Sequence, residues 1–354
     1  MNCAIKFLAG IGFGAALASA GTLSYTCDPS IGAATCTYLN TTIAGLYNNT
    51  FTNLNANIYI TYGTTGLGQG ESPNNVISYS TYLSDYTTNA AASGNPNQAT
   101  ALTSLNTYAT PAYAGSSVQI SGALGEALGI SANDLIGFDS AGNSGCTLSA
   151  AGCYEDVLTI TNDPSTLLYY RNGVIDPDAY DFYSVVEHET DEALGTVSCI
   201  ETQDTTLMNN CDGAESASDL FRYQSAHNLI PDSSLSTAPG AYLSYDSGVT
   251  NALGAGVFYN TLTNGEDYGD FVGNYGCPTA PYVQDGEGCP GFAGLDITND
   301  GGAEINMLNT VGFDLPASSV PEPATFVLFG VGLGFLGMLH QRRRATVRAN
   351  GGRR

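Results

Sequence analysis

One segment of the sequence combines two metal-ligating side chains with a carboxylate that can act as a base. His188 and Glu192 are four residues apart, so on a helix they lie on one face, one turn from each other. Both are competent zinc ligands. Glu189 lies beside His188 and can contact a metal-bound water without being a ligand. The spacing H-E-x-x-E therefore favours a zinc site with Glu189 as the catalytic base. The alternative is a solvated acidic helix face on which His188 is an ordinary polar residue.

The residues around this segment predict the helix that must position it. Asp176 can cap the helix and Pro177 suits its first position. Gly195 is predicted to end it. Apolar faces are supplied by four residues: Phe182, Val185, Val186 and Leu194.

The third metal ligand has several candidates. In the related H-E-x-x-H pattern a second His stands where this chain has Glu192, and the metzincin continuation would place a third His where Ser198 stands. Asp219 is our predicted third ligand, although an ion pair with Arg222 on one helix face explains it equally well. Three further candidates are His227, Glu215 and Asp212.

Two other acidic segments suggest Ca²⁺. Residues 296–302 read D-I-T-N-D-G-G, and residues 266–270 read E-D-Y-G-D. Both combine carboxylates with glycine, but neither has EF-hand spacing. The alternative is ordinary turn chemistry at the surface.

The charge distribution narrows the class of protein. Of 354 residues only 12% are charged, and residues 21–320 carry 32 acids against two bases, Arg171 and Arg222. Such a surface repels phosphate backbones, so nucleic-acid binding is excluded. Peptide or protein substrates and cations remain as partners.

The two ends of the chain are predicted to be targeting segments. Residues 1–20 have a basic residue, an apolar run and an A-x-A site, which indicate a secretory signal peptide. After residue 20 the cysteines fall in neighbouring pairs, which predicts local disulfides in an exported protein. These pairs are Cys27/Cys36, Cys146/Cys153, Cys199/Cys211 and Cys277/Cys289.

The C-terminus combines Pro321-Glu322-Pro323, an apolar run from Ala324 to Leu339 and an arginine cluster. This order resembles the PEP-CTERM sorting signal of Gram-negative bacteria. The resemblance implies transient anchoring in the inner membrane by a transmembrane helix, removal of the tail by an exosortase, and a final location outside the cell or on its surface.

The body mixes predicted helices (37–51, 75–91, 97–108, 121–128 and 304–311) with predicted short strands (57–62, 135–138, 157–160, 242–245 and 257–259). This mixture favours an α+β fold that is loop-rich and stapled by disulfides. We predict a signal peptide at 1–20, one domain at 21–315 and a sorting signal at 316–354.

Several blocks of the body resemble a family of exported bacterial zincin metalloproteases that carry PEP-CTERM tails. They are residues 58–63, 123–130, 185–195, 218–223, 242–250, 267–271 and 308–314. The resemblance implies a zincin-like fold with a twisted mixed sheet over an active-site helix. It also implies that Glu at the second ligand position is normal in this family.

These observations support three hypotheses. The first is an exported zinc endopeptidase that uses His188, Glu192 and Asp219 as ligands and Glu189 as general base. The second is a non-catalytic, acidic, metal-binding matrix or biofilm protein on the same fold. The third, a carbohydrate-active enzyme with paired acids such as Glu189 and Asp219, is disfavoured because the chain has no Trp to stack against sugars.

Overall fold

The computed structural model describes residues 21–70, 75–200, 214–230, 240–260, 267–272, 277 and 279–316. The predicted signal peptide and the predicted apolar tail lie outside these residues. The strands are β1 (Thr22–Cys27), β2 (Asn55–Gly63), β3 (Gly68–Gln69), β4 (Asn75–Ser78), β5 (Ser117–Ile120), β6 (Ile136–Phe138), β7 (Ser144–Thr147), β8 (Asp156–Thr161), β9 (Leu167–Tyr169), β10 (Ala179–Asp181), β11 (Glu215–Ser216), β12 (Arg222–Ser225), β13 (Asn228–Leu229) and β14 (Tyr242–Leu243).

The helices are interspersed among these strands along the chain. They are α1 (Ala33–Tyr38), α2 (Ala44–Thr50), α3 (Tyr79–Ser93), α4 (Pro96–Ser104), α5 (Thr110–Tyr113), α6 (Gly122–Ala127), α7 (Phe182–Asp191) and α8 (Ala303–Val311). π-Helical turns at Leu39–Ile43, Leu105–Ala109 and Glu192–Thr196 continue α1, α4 and α7, and short 3₁₀ turns lie at Pro29–Ile31 and Asp219–Phe221.

The largest sheet of the described chain has the strand order β1-β2-β8-β3. Strands β1, β2 and β8 are parallel, whereas β3 pairs antiparallel with β8 and forms one edge. The predicted mixed sheet is therefore present. Smaller sheets have the orders β11-β5-β4, β13-β12-β14, β10-β9 and β6-β7.

Helix α7 packs against this sheet, and two buried tyrosines form hydrogen bonds with its side chains. Phe182 and Val186 are fully buried on the helix. Tyr25 on β1 hydrogen-bonds to Thr190 at 2.9 Å. Tyr47 on α2 donates to Asp191 Oδ1 at 2.8 Å. These buried contacts fix the position of the helix that carries the H-E-x-x-E residues.

The beginning of α7 differs from the sequence prediction. Asp176 does not cap the helix; its carboxylate accepts the Asp178 amide within a turn at 2.9 Å. Residues 179–181 then pair with β9 as strand β10. The cap is Asp181, which accepts the Tyr183 amide. The prediction was wrong because two aspartates five residues apart both had capping chemistry, and strand pairing selected the second.

Two further element predictions need correction, whereas the remaining ones are confirmed with small shifts of their ends. Asn75–Ser78 forms strand β4 before α3 begins, because Ser78 caps that helix through the Thr81 amide. Residues 257–259 form no strand; Tyr259 makes a single bridge to Phe271.

Three of the predicted disulfides are present, each closing a short loop. They are Cys27–Cys36, Cys146–Cys153 and Cys277–Cys289. Cys211 of the fourth predicted pair lies outside the described residues. The structure is thus a mixed fold of helices and several small sheets, stapled by local disulfides; its zincin-like character stays a prediction.

Candidate metal centre

Helix α7 changes its winding at the H-E-x-x-E segment. The regular helix ends at Asp191, and Glu192 begins the π-helical turn Glu192–Thr196. Gly195 has φ 125°, which is costly for any residue with a side chain. The predicted end at Gly195 is confirmed. Single π-helical turns occur often at functional sites.

His188, Glu192 and Asp270 form a group that we call the front cluster. Their ligand atoms all lie within 4.8 Å of one another. His188 Nε2 is 3.6 Å from Glu192 Oε1 and 3.6 Å from Asp270 Oδ1. Two ligands of a tetrahedral zinc with bonds of about 2.1 Å lie roughly 3.4 Å apart. The observed spacing therefore fits one metal ion held by all three side chains.

The orientation of His188 suits a ligand. Its Nδ1 donates a hydrogen bond to the carbonyl oxygen of Val283 at 2.9 Å. This contact directs Nε2 toward the two carboxylates. Metal-binding histidines usually donate their second N–H to a carbonyl or carboxylate in this way, which fixes the tautomer and the ring.

Electrostatics make the front cluster attractive to a positive charge. Burial lowers the pKa of His188, but its contact with Glu192 and the charge of Asp270 outweigh that effect and raise the pKa well above its usual value. Burial raises the pKa of Asp270, and the charge of Glu192 adds to the rise although His188 opposes it. A proton on His188 or a metal ion therefore stabilises the paired carboxylates.

Glu189 lies beside the front cluster and under the sheet edge. A Cβ built on Gly68 of β3 would lie 2.5 Å from Glu189 Oε1, and one on Gly70 would lie 3.5 Å from Oε2. Burial is the main cause of its raised pKa, and the charge of Glu192 contributes. A cation in the front cluster would lower this pKa again.

Asp270 reaches the front cluster from a loop far along the chain. The side-chain amide of Gln284 donates to Asp270 Oδ1 at 3.1 Å, and the hydroxyl of Thr196 donates to Gln284 Oε1 at 3.2 Å. The backbone amide of Gln284 also donates to Glu304 Oε1 of α8. Gln284 thus connects the end of α7, the Asp270 loop and α8.

Asp219, the predicted third ligand, is not in the front cluster. It is buried, and its carboxylate accepts hydrogen bonds from two hydroxyls, one amide and the Arg222 guanidinium. The remaining donors are Ser198 Oγ, Ser216 Oγ and Cys199 N. The ion pair between Asp219 and Arg222, which was the alternative to a ligand role, is therefore present. Asp219 begins a 3₁₀ turn rather than lying on an α-helix. Asp270 occupies the place in the cluster that we predicted for Asp219.

The other candidates also lie elsewhere. His227 is exposed and stacks on Tyr108, whose hydroxyl is 2.8 Å from His227 Nδ1. Glu215 is half-buried on β11. Asp212 lies outside the described residues.

Sequence reasoning noticed Asp270 but gave it another role. It stands in the D-Y-G-D-F block (267–271) of the family resemblance and in one of the acidic segments assigned to Ca²⁺. In the structure Asp267 accepts the backbone amides of Ser198 and Gly269, and the Ca²⁺ prediction for this segment stays a prediction. The sequence did contain one signal for Asp270: the block 267–271 of the family resemblance includes this acid, to which no catalytic role was assigned.

A family model for the PEP-CTERM protein-sorting motif matches residues 319–344. Searches of curated proteins and of solved structures find no match. Within the described ranges, no helix is both long and apolar enough to cross a membrane.

The sorting motif confirms the predicted location. The chain is an exported protein that is sorted to the cell surface, and its motif implies processing by an exosortase at the C-terminus. The local disulfides agree with a location outside the cytoplasm.

Proposed function

We propose that this protein is an exported metal-dependent endopeptidase whose zinc ion is bound by His188, Glu192 and Asp270. The observation that carries the proposal is the front cluster, in which His188 Nε2 lies 3.6 Å from a carboxylate oxygen on each side. Asp270 replaces Asp219 as the third ligand in this proposal.

The donor set fits a zinc ion chemically. One imidazole nitrogen and two carboxylate oxygens are all ligands that zinc accepts. With His188 neutral, the two carboxylates balance the charge of a divalent ion. The second carboxylate leaves such an ion less positive than a second His would, so we expect weaker activation of water than at an H-E-x-x-H site.

Glu189 is the residue proposed to move the proton. A zinc ion, when bound, polarises a water molecule and the scissile carbonyl group. Glu189 takes the proton from the attacking water and later gives it to the leaving amine. Burial raises the pKa of Glu189 in the metal-free protein, and a cation bound in the front cluster would lower it, which favours the carboxylate form that accepts the proton.

One observation favours the non-catalytic alternative. The raised pKa of His188 means that a protonated imidazole can satisfy Glu192 and Asp270 without a metal ion. On that basis the protein would be an acidic surface or matrix component with no peptidase activity.

Metal content and hydrolysis measured on the same samples separate the two functions. We expect stoichiometric zinc in the purified parent by mass spectrometry, and chelator-sensitive cleavage of a quenched fluorescent peptide library. Asp270→Asn and Glu192→Gln should lose the zinc, because each removes one of three ligands. Glu189→Gln should keep zinc and lose roughly 10²–10⁴-fold in kcat, because only the base is removed.

Glu287→Gln is the matched control for Glu189→Gln, since Glu287 is exposed. It should retain both zinc and activity. A parent that binds no zinc, or a Glu189→Gln protein as active as Glu287→Gln, would contradict the peptidase proposal.

A further inference from the structure

We propose that the buried face of α7 adjacent to the front cluster forms a second cation site, which binds Ca²⁺ through Glu187, Asp191 and Asp300. We call these three residues the rear cluster. The site is independent of the proposed peptidase function, since it shares no ligand with the front cluster.

The rear cluster contains carboxylate oxygens for which the described part of the chain supplies no hydrogen-bond partner. Glu187 is 0% exposed, and neither of its oxygens has a partner among the described residues. Asp191 Oδ2 and Asp300 Oδ2 are likewise buried and unpartnered, whereas their second oxygens accept from Tyr47 and from the Gly302 amide. Burying a carboxylate without partners is costly, and a bound cation is one way to offset that cost.

The three side chains come from two elements, α7 and the loop that leads into α8. Glu187 and Asp191 are four residues apart on α7 and so share one face. The charges of Glu187 and Asp300 both act on Asp191. The amide of Ile297, in the loop that leads to Asp300, approaches Glu187 without completing a hydrogen bond. Glu187 is therefore aimed at the loop that carries the third carboxylate.

The two basic residues of the body do not neutralise this group. Arg222 is paired with Asp219. The charge of Arg171 reaches Glu187, but its Nε and Nη2 both donate to Asp181 Oδ2, at 2.9 and 2.7 Å. Asp296 adds a further negative charge near Glu187. The rear cluster thus has more carboxyl groups than basic partners.

The donor chemistry points to calcium rather than zinc. The rear cluster offers only oxygens, whereas zinc favours nitrogen and sulfur ligands. Its ligand atoms are spread more widely than the 4.8 Å limit that the front cluster meets, so they must draw together around the ion. Ca²⁺ accepts six to eight oxygens in flexible geometry, unlike the strict octahedron of Mg²⁺.

Asp296 belongs to the segment 296–302 for which the sequence predicts Ca²⁺, and it is partnered within its own turn. Its two oxygens accept from Thr298 and Asn299 within its own turn. This turn shapes the loop that presents Asp300. The calcium proposal therefore rests on the unpartnered oxygens and not on the acidic turn.

Calcium titration of the full-length, zinc-loaded and calcium-free protein tests the site. We expect CaCl₂ to raise the Tm by about 5 °C at a hundredfold excess over Kd, and MgCl₂ to have a much smaller effect. Calorimetry should show one calcium site. Glu187→Gln and Asp300→Asn, on separate elements, should each weaken calcium binding at least about tenfold.

Two control variants keep the result specific. Asp178→Asn removes an exposed acid near the start of α7 and should bind calcium like the parent. Asp270→Asn should lose zinc but keep the calcium-dependent rise in Tm, so failure of the peptidase proposal leaves this test intact. A parent whose Tm does not respond to calcium, equal responses to calcium and magnesium, or unchanged affinity in both Glu187→Gln and Asp300→Asn would overturn the proposal.

Discussion

A proton and a metal ion compete for the same nitrogen of His188. Nδ1 is committed to the Val283 carbonyl, so Nε2 alone faces Glu192 and Asp270. The two carboxylates that attract a metal also raise the pKa of this imidazole. Binding a metal therefore displaces a proton, and the affinity of the front cluster for zinc should increase with pH until His188 is neutral.

Asp219 and Asp270 show how two buried aspartates near one helix take different roles. Asp219 accepts from several donors of the protein, including the buried Arg222. Arg222 also lies 4.0 Å over the ring of Tyr259 and donates to the carbonyl of Tyr268, just before Asp270. Asp219 is thus a positioning residue that supports the loop carrying Asp270.

Paired substitutions separate these two roles. Asp219→Asn should lower the free energy of unfolding by about 3–5 kcal/mol, because it leaves Arg222 buried without its counter-charge. Below its Tm this variant should still bind zinc, whereas Asp270→Asn should lose zinc with a smaller change in stability. Denaturant unfolding and zinc analysis decide the matter: loss of zinc by folded Asp219→Asn, with retention by Asp270→Asn, would return the third ligand to Asp219.

At the scale of elements, the short edge strand β3 determines where Glu189 can lie. Only two residues long, β3 pairs antiparallel with β8 and passes over α7. Gly68 leaves the space that Glu189 and Val185 occupy, since an added Cβ would lie 2.5 Å from Glu189 Oε1 and 2.6 Å from Val185 Cγ1. The glycine is required there by close approach.

Gly68→Ala should therefore displace Glu189 without touching the proposed ligands. We expect zinc content equal to that of the parent and a fall in kcat of about tenfold or more, since small errors in the position of a base are costly. Gly66→Ala is the matched control, because a Cβ at Gly66 meets nothing within 4 Å. Equal activity of the two variants would show that β3 does not constrain the base.

Local spacing and turn chemistry in the sequence predicted most of the helices and strands. The features that the sequence did not predict depend on contacts between residues far apart in the chain. The helix with His188, its end at Gly195 and the local disulfides follow from spacing and turn chemistry. The start of α7 was wrong because the strand pairing of residues 179–181 is a tertiary contact. Asp270 contacts His188 although the two residues are far apart in the sequence. No local sequence pattern could therefore favour Asp270 over Asp219 as the third ligand.

At the scale of the whole molecule, carboxyl groups are buried inside the protein as well as present on its surface. Burial raises the pKa of Glu155 to about 7, of Glu187 to about 8 and of Asp300 to about 6. For each of these carboxyls the folded state holds its proton to a higher pH than the unfolded state does. Stability is therefore greatest below the usual pKa of a carboxyl and is lost as the pH rises through these raised values.

The metal-free protein should accordingly be more stable near pH 5 than near pH 8. Hydrogen bonds within their own turns lower the pKa values of Asp28, Asp139 and Asp163. These three act in the opposite sense, but only below about pH 4, where their carboxylates take up protons. We expect the Tm of chelator-treated protein to fall by several degrees, at least about 3 °C, between pH 5 and pH 8.

Glu155→Gln tests this dependence at a residue outside both clusters. Glu155 is 6% exposed and accepts the amide of Asn57, a contact that the Gln carbonyl oxygen can keep. The substitution removes a buried charge at pH 8 but replaces one neutral group with another at pH 5. The variant should therefore have a higher Tm than the parent at pH 8 and a similar Tm at pH 5. A metal-free parent that is equally or more stable at pH 8, with no gain from Glu155→Gln, would show that the buried carboxyls find compensating partners in the folded chain.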